Sequence, residues 1–284
     1  MSQHFPKRIV CLTEETTEIV FALGAGDRVV GVSGYAVRPA EAREKPKVGA
    51  FTSIRMEKIR EVNPDLIITF SDLQAQIAHD LVKAGYTVLA LNQRSVEETF
   101  QAIELVGRVI GELKKAEEMI LGMKKEMDTI HKTASRFSRR PRVYFEEWDN
   151  PLITGIRWVS ELIDIAGGEE TFPEMKERKN APERVIQPED VIQRNPDIIF
   201  ASWCGKKANL AAIKSRPGWD KIEAVKNNQL FEIKSPDILA PGPSFLLGLR
   251  QMHEAIKQMV DCHPGLDPGS SVVFKDPGSP LSRG

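Results

Sequence analysis

Apolar residues recur along the chain in two rhythms. Leu66-Ile67-Ile68 and Ile198-Ile199-Phe200-Ala201 are short continuous runs. Unbroken runs of that length mark parallel strands covered on both faces. Between residues 96 and 133 the rhythm changes. Val96, Phe100, Ile103, Val106, Ile110, Leu113, Ile120, Met123, Met127 and Ile130 fall three or four apart, which draws one stripe along a helix. No proline interrupts it, and a glycine inside a helix costs only about 1 kcal/mol. The spacing predicts one continuous helix, about 55 Å long at about 1.5 Å per residue.

The two sides of that helix resemble each other. Residues 57–65 read EKIREVNPD and lead into Leu66-Ile67-Ile68. Residues 189–197 read EDVIQRNPD and lead into Ile198-Ile199-Phe200. Each is a short helix stopped at Asn-Pro, because the residue before proline is pushed out of helical geometry. Arg8-Ile9-Val10-Cys11 matches Arg142-Val143-Tyr144-Phe145. The helix running to Gly24 matches the one running to Gly167, both ended by glycine. Tyr86–Leu91 matches Gln229–Ile233. Four matches in one order predict an α/β protein of two Rossmann-like lobes with parallel sheets, joined by a single long backbone helix. The expected boundaries are 1–95 for the first lobe, 96–135 for the connecting helix and 136–260 for the second lobe. Residues 261–284 are expected to be a disordered tail, since they carry Asp-Pro-Gly-Ser twice and little apolar content.

Composition narrows the function classes. Lys and Arg number 39 against 40 Asp and Glu in 284 residues, a formal net charge of −1. Such a chain has no bulk field for a polyanion, so nucleic acid is excluded as the main partner. No apolar run approaches membrane-spanning length. No apolar segment precedes the first strand, and the chain as written is expected to be cytoplasmic. Cys11, Cys204 and Cys262 form neither a disulfide framework nor a metal motif.

Catalytic motifs are absent. There is no Gly-x-Ser-x-Gly, no His-Glu-x-x-His and no phosphate-binding Gly-x-x-x-x-Gly-Lys. The five histidines are scattered, so no metal site and no catalytic residue is expected. Glu146-Glu147-Trp148-Asp149 follows the strand Val143–Phe145, where ligands bind in open α/β sheets. Its carboxyls read first as hydrogen-bonding groups for a ligand, with acid–base chemistry or plain structural roles as alternatives. Aromatic side chains collect at the same strand ends: Tyr35, Phe51 and Phe70 in the first half, Trp148 and Trp203 in the second. Trp219 reads as core, and Trp158 reads equally as core or cleft. An aromatic-lined cleft suits a large, partly apolar ligand.

These residues carry a resemblance to a known family. Thr17-Glu18-Ile19, Gly26–Val32 and Glu57–Ile67 resemble first-lobe segments of the substrate-binding proteins of ABC importers for cobalamin and iron–siderophores. Phe145–Pro151, Trp158–Gly168, Asn195–Ile199 and Pro217-Gly218-Trp219 resemble second-lobe segments, so that the match covers about residues 8–258. Phe145–Gly168 and Ser202–Lys207 look most like the cobalamin-binding members.

The resemblance implies a non-enzymatic monomer that holds a corrinoid such as cobalamin between its lobes, for import or salvage. By it, Tyr35, Phe51 and Phe70 would line the first lobe. Trp148, Trp158, Trp203 and the loop Leu239-Ala240-Pro241-Gly242-Pro243 would line the second. Glu15, Glu147 and Arg157 would meet an amide or phosphate. A ferric siderophore or haem held by Arg38, Arg55 and Arg157 is the alternative ligand, and an enzyme acting on a cobamide precursor through Glu146 or Glu147 is the alternative class. Docking to an ABC permease would use an acidic residue on each lobe. The corresponding segments here offer Asp72, Gln74 and Gln76, then Lys206 and Lys207.

Overall fold

The computed structural model describes residues 4–261. The tail expected at 261–284 lies, from residue 262 on, outside the described residues. The first half builds β1 (Ile9–Cys11), α1 (Glu14–Ala22), β2 (Val29–Ser33), β3 (Lys47–Gly49), α2 (Met56–Val62), β4 (Leu66–Phe70), α3 (Ala75–Lys83) and β5 (Val88–Leu91). Its five strands lie in the order β3-β2-β1-β4-β5 and all run parallel. β1 and β4 are buried at every position, as unbroken apolar runs require.

Two helices, α4 (Val96–Ile110) and α5 (Leu113–Ala134), lead to the second half. There follow β6 (Arg142–Asp149), β7 (Leu152–Thr154), α6 (Arg157–Ala166), β8 (Glu169–Glu170), α7 (Pro188–Arg194) and β9 (Ile198–Ala201). The chain continues through α8 (Leu210–Lys214), α9 (Glu223–Lys226), β10 (Leu230–Glu232), α10 (Ser235–Ile238) and α11 (Phe245–Asp261). The second sheet has the order β10-β9-β6-β7, with β8 also paired to β6. Its pairs are parallel except β6–β7, which forms an antiparallel hairpin at the end of β6.

The repeat is visible in atomic detail. α2 and α7 both end on an asparagine in left-handed geometry, Asn63 at φ +41° and Asn195 at φ +47°. The Asp65 carboxylate accepts from the amides of Lys7 and Arg8, and Asp197 accepts from that of Arg142. Arg8 donates back to the Val62 carbonyl at 2.6 Å, and Arg142 to that of Arg194 at 2.8 Å. Each Asn-Pro-Asp turn therefore pins the helix end to the strand that opens its lobe.

The connector departs from the expected single helix. It breaks at Gly111, which takes φ +80°. The Glu112 amide closes the turn on the Gly107 carbonyl at 2.7 Å. Arg28 of the first lobe caps the Ile110 carbonyl at 2.8 Å and pairs with Glu112 at 2.9 Å. After the turn the helices pack so closely that a Cβ on Gly107 would meet that of Ala116 at 2.5 Å. The small cost of glycine inside a helix does not decide where this one ends. A glycine one place beyond a helix end stabilises the stop, because it adopts positive φ without a Cβ clash. The apolar stripe survives the break. Val96, Phe100, Ile103, Val106 and Ile110 of α4, with Met123, Met127 and Ile130 of α5, join one core cluster with residues of both sheets.

Candidate functional site

The loops at the carboxyl ends of the parallel strands face each other across a cleft of about 1030 Å³. From the first half, Thr13, Glu14 and Glu15 follow β1, Ser33 ends β2 and Tyr35 follows it. Phe51 follows β3, and Phe70 ends β4. From the second half, Trp148 comes from the end of β6 and Lys207 from the loop after β9. Glu232 ends β10, and Leu239 follows α10. Ligands bind in open α/β sheets at this edge, because there the loops are free to diverge while the strands stay fixed.

Six of the eleven residues expected at the site line this cleft: Glu15, Tyr35, Phe51, Phe70, Trp148 and Leu239. Tyr35 stands 48% exposed at the rim. Gln74 holds the aromatic wall in place. Its Oε1 accepts from the Phe70 amide at 3.0 Å, and its Nε2 donates to the carbonyls of Leu12 at 3.2 Å and Phe51 at 2.7 Å. The resemblance groups Gln74 with Asp72 in a docking segment. It is fully buried instead.

The other five sit elsewhere, each for a stated reason. Trp158 is buried and its indole donates to the Ile238 carbonyl at 2.9 Å. Trp203 is buried beneath the rim and donates to Glu146 Oε1 at 3.0 Å. Arg157 opens α6 and pairs with Glu161 at 2.9 Å and Glu177 at 3.2 Å. The Pro241 carbonyl accepts from Gln93 at 3.1 Å, with its neighbour Ala240 in the cleft wall. Glu147 takes Arg184 in two bonds of 2.6 and 3.0 Å. Strand-end position alone could not separate a side chain that points into the cleft from one that points into the sheet's cover.

Glu146 is the most deeply committed of these carboxylates. It is fully buried and receives Arg216 in two bonds of 2.5 and 2.9 Å. Trp203 and the Tyr144 hydroxyl, at 3.2 Å, complete its shell. A carboxylate saturated this way has no free lone pair for acid–base work.

Glu14 and Glu15 both line the cleft, and no motif or spacing in the sequence marks Glu14. Burial pushes the Glu15 carboxyl up to about 8, against a hydrogen bond from the Thr13 hydroxyl. Burial likewise raises Glu14 to about 7, against the pull of the Arg38 charge. Arg38 itself spans the two halves. It pairs with Glu18 at 3.3 Å and Asp237 at 2.8 Å, and donates to the Pro236 carbonyl at 2.6 Å. Among the described residues no three His, Cys, Asp or Glu side chains converge as a metal site, and no helix is long and apolar enough to cross a membrane.

Comparison with known proteins gives this architecture its place. An ABC transporter substrate-binding lipoprotein of Bacillus subtilis is 30% identical over 260 residues, covering 88% of this chain and 80% of its own. A vitamin B12-binding protein of Vibrio parahaemolyticus is 26% identical over 255 residues, covering 87% and 88%. Among solved structures, a periplasmic haem-binding protein from Pseudomonas aeruginosa superposes with a TM-score of 0.78 at 19% identity, covering 90% of this chain and 95% of that one. With a lipoprotein among such relatives, the expectation of a cytoplasmic protein finds no support. The model of the periplasmic binding protein family matches residues 9–236, and the chain belongs to that family.

Proposed function

We propose that this protein is the corrinoid-binding component of an ABC importer and holds a cobalamin-like ligand in the cleft without transforming it. One observation carries the reading. Flat aromatic side chains from both halves, Tyr35, Phe51 and Phe70 against Trp148, face one open volume, with charged side chains such as Glu14, Glu15, Lys206 and Lys207 set around them. Such a wall fits a broad, largely apolar macrocycle. The similarity to a vitamin B12-binding protein over most of both chains supports it. In this reading the lobes are residues 1–95 and 136–260 joined by 96–135, the protein acts outside the cytoplasm as a monomer, and a permease receives the loaded form. The non-enzymatic part rests on Glu146 and Glu147, whose lone pairs are held by Arg216 and Arg184.

The test is an equilibrium titration with cobalamin followed by its own absorbance. Saturable one-to-one binding is expected. Absence of binding at high micromolar concentration refutes the reading. Haem or a ferric siderophore is the competing ligand, favoured by the exposed Tyr35 phenol, since phenolates ligate iron. Against it, Arg38 and Arg157 are spent on carboxylates and Arg55 donates to the Lys47 carbonyl. Haem displacing cobalamin at lower concentration would decide for it.

A further inference from the structure

The loop from β9 to α8 carries Cys204-Gly205-Lys206-Lys207 along the second-lobe rim of the cleft. Its backbone is fixed at both ends. Gly205 takes φ +72°, and the Lys206 amide donates to the Trp203 carbonyl at 3.2 Å. The Ala208 amide donates to Glu232 Oε1 at 2.9 Å. Lys206 lies down on the rim. Its ammonium is 2.7 Å from Asp149 and 4.1 and 4.7 Å from the Trp148 and Trp203 ring centres.

Lys207 is the exception on this loop. It is exposed, it lines the cleft, and among the described residues it has no ion pair or hydrogen bond. The acids on its side are engaged: Asp149 by Lys206, Glu147 by Arg184, and Glu232 by the Ala208 amide. The facing wall presents the Glu14 and Glu15 carboxyls. The cleft is therefore lopsided: the first lobe presents Glu14 and Glu15, while the second presents Lys206, Lys207 and Lys234 against the single carboxylate Glu232. Of these lysines, among the described residues, Lys207 is the one whose ammonium is left for a ligand.

We propose that Lys207 receives an anionic substituent of the bound ligand, a phosphate or a carboxylate, and thereby sets which way round the ligand lies. This rests on the reading above, under which the anion is the phosphodiester of the nucleotide loop of cobalamin. An anion placed on the opposite wall would face two carboxyls. Placed here it meets a cation carried on a loop whose backbone is already ordered.

Wild type, Lys207→Ala and Lys207→Glu are titrated with cobalamin and with cobinamide, which lacks the phosphodiester, at low and high salt. An exposed charge-assisted contact corresponds to roughly a 3- to 10-fold loss for Lys207→Ala on cobalamin, and salt should shrink it. Lys207→Glu should lose more, while cobinamide affinity stays within about twofold throughout, since no anion is there to lose its partner. Equal losses on both ligands, or no loss on cobalamin, overturn the proposal. Failure of wild type to bind either corrinoid refutes the corrinoid reading instead. Lys207 then faces the same comparison between haem and its dimethyl ester, and equal effects of Lys207→Ala on the two overturn it.

Discussion

Replacing Arg216 with methionine strips the counter-charge from a fully buried carboxylate. Glu146 has no exposed surface, and Arg216 gives it two charge-assisted bonds of 2.5 and 2.9 Å. After the replacement only two neutral donors remain, the Trp203 indole and the Tyr144 hydroxyl. Removing one partner of a buried pair costs about 3–5 kcal/mol, because the other charge stays desolvated. The Arg216 side chain is 18% exposed, so some water can reach the gap and the lower end, about 3 kcal/mol, is expected. Domain stabilities run to roughly 5–15 kcal/mol, so the loss is large on that scale. Urea unfolding at neutral pH measures it. The pair Glu146→Gln with Arg216→Met should regain at least half, since a neutral amide still accepts from Trp203 or Tyr144. A loss under about 1 kcal/mol for Arg216→Met, or a double variant no better than the single, refutes the account of Glu146 as a structural anion.

The Glu15, Glu14 and Glu170 carboxyls are all raised by burial, to about 8, 7 and 7, above the ordinary glutamate value of 4.5. The folded state then binds protons more tightly than the unfolded chain, so stability is full below the unfolded value and falls as pH rises through 7 to 8. Chemical denaturation across pH 5–9 should show that decline, flattened in Glu15→Gln; an unchanged slope counts against it. Gly111→Ala should destabilise by about 1 kcal/mol or more, from positive φ and from Phe5, whose ring lies 2.5 Å from where a Cβ would sit. A continuous helix would instead gain stability from the alanine, so a higher unfolding midpoint would sink the broken-connector description. Trp148→Ala should weaken ligand binding roughly tenfold while changing stability by less than about 1 kcal/mol, whereas Trp203→Phe should do the reverse by leaving Glu146 short of a donor.

Periodicity and repetition carried the architecture. The two EKIREVNPD-like segments were enough for paired helix–turn–strand units, because Asn-Pro stops a helix wherever it stands. Unbroken apolar runs were enough for parallel strands, because burial on both faces leaves no alternation. Strand ends were enough for the neighbourhood of the cleft, and Tyr35, Phe51, Phe70 and Trp148 fall there. Tertiary contacts decided the rest. Gly107, Gly111 and Gly122 look alike in a helical stripe, and only Arg28 capping Ile110 and the close approach of Ala116 make Gly111 the break. Glu146 and Glu147 are neighbours of the same type as Glu14 and Glu15. The first two meet Arg216 and Arg184, arginines 70 and 37 residues away in sequence, and become structural anions. The second two meet no arginine at bonding distance among the described residues and remain carboxyls of the cleft wall. Which charge a side chain will find, and which face of a strand end it takes, depends on segments far apart in the chain. Local spacing cannot encode that, and it is what separates the cleft wall of this protein from its core.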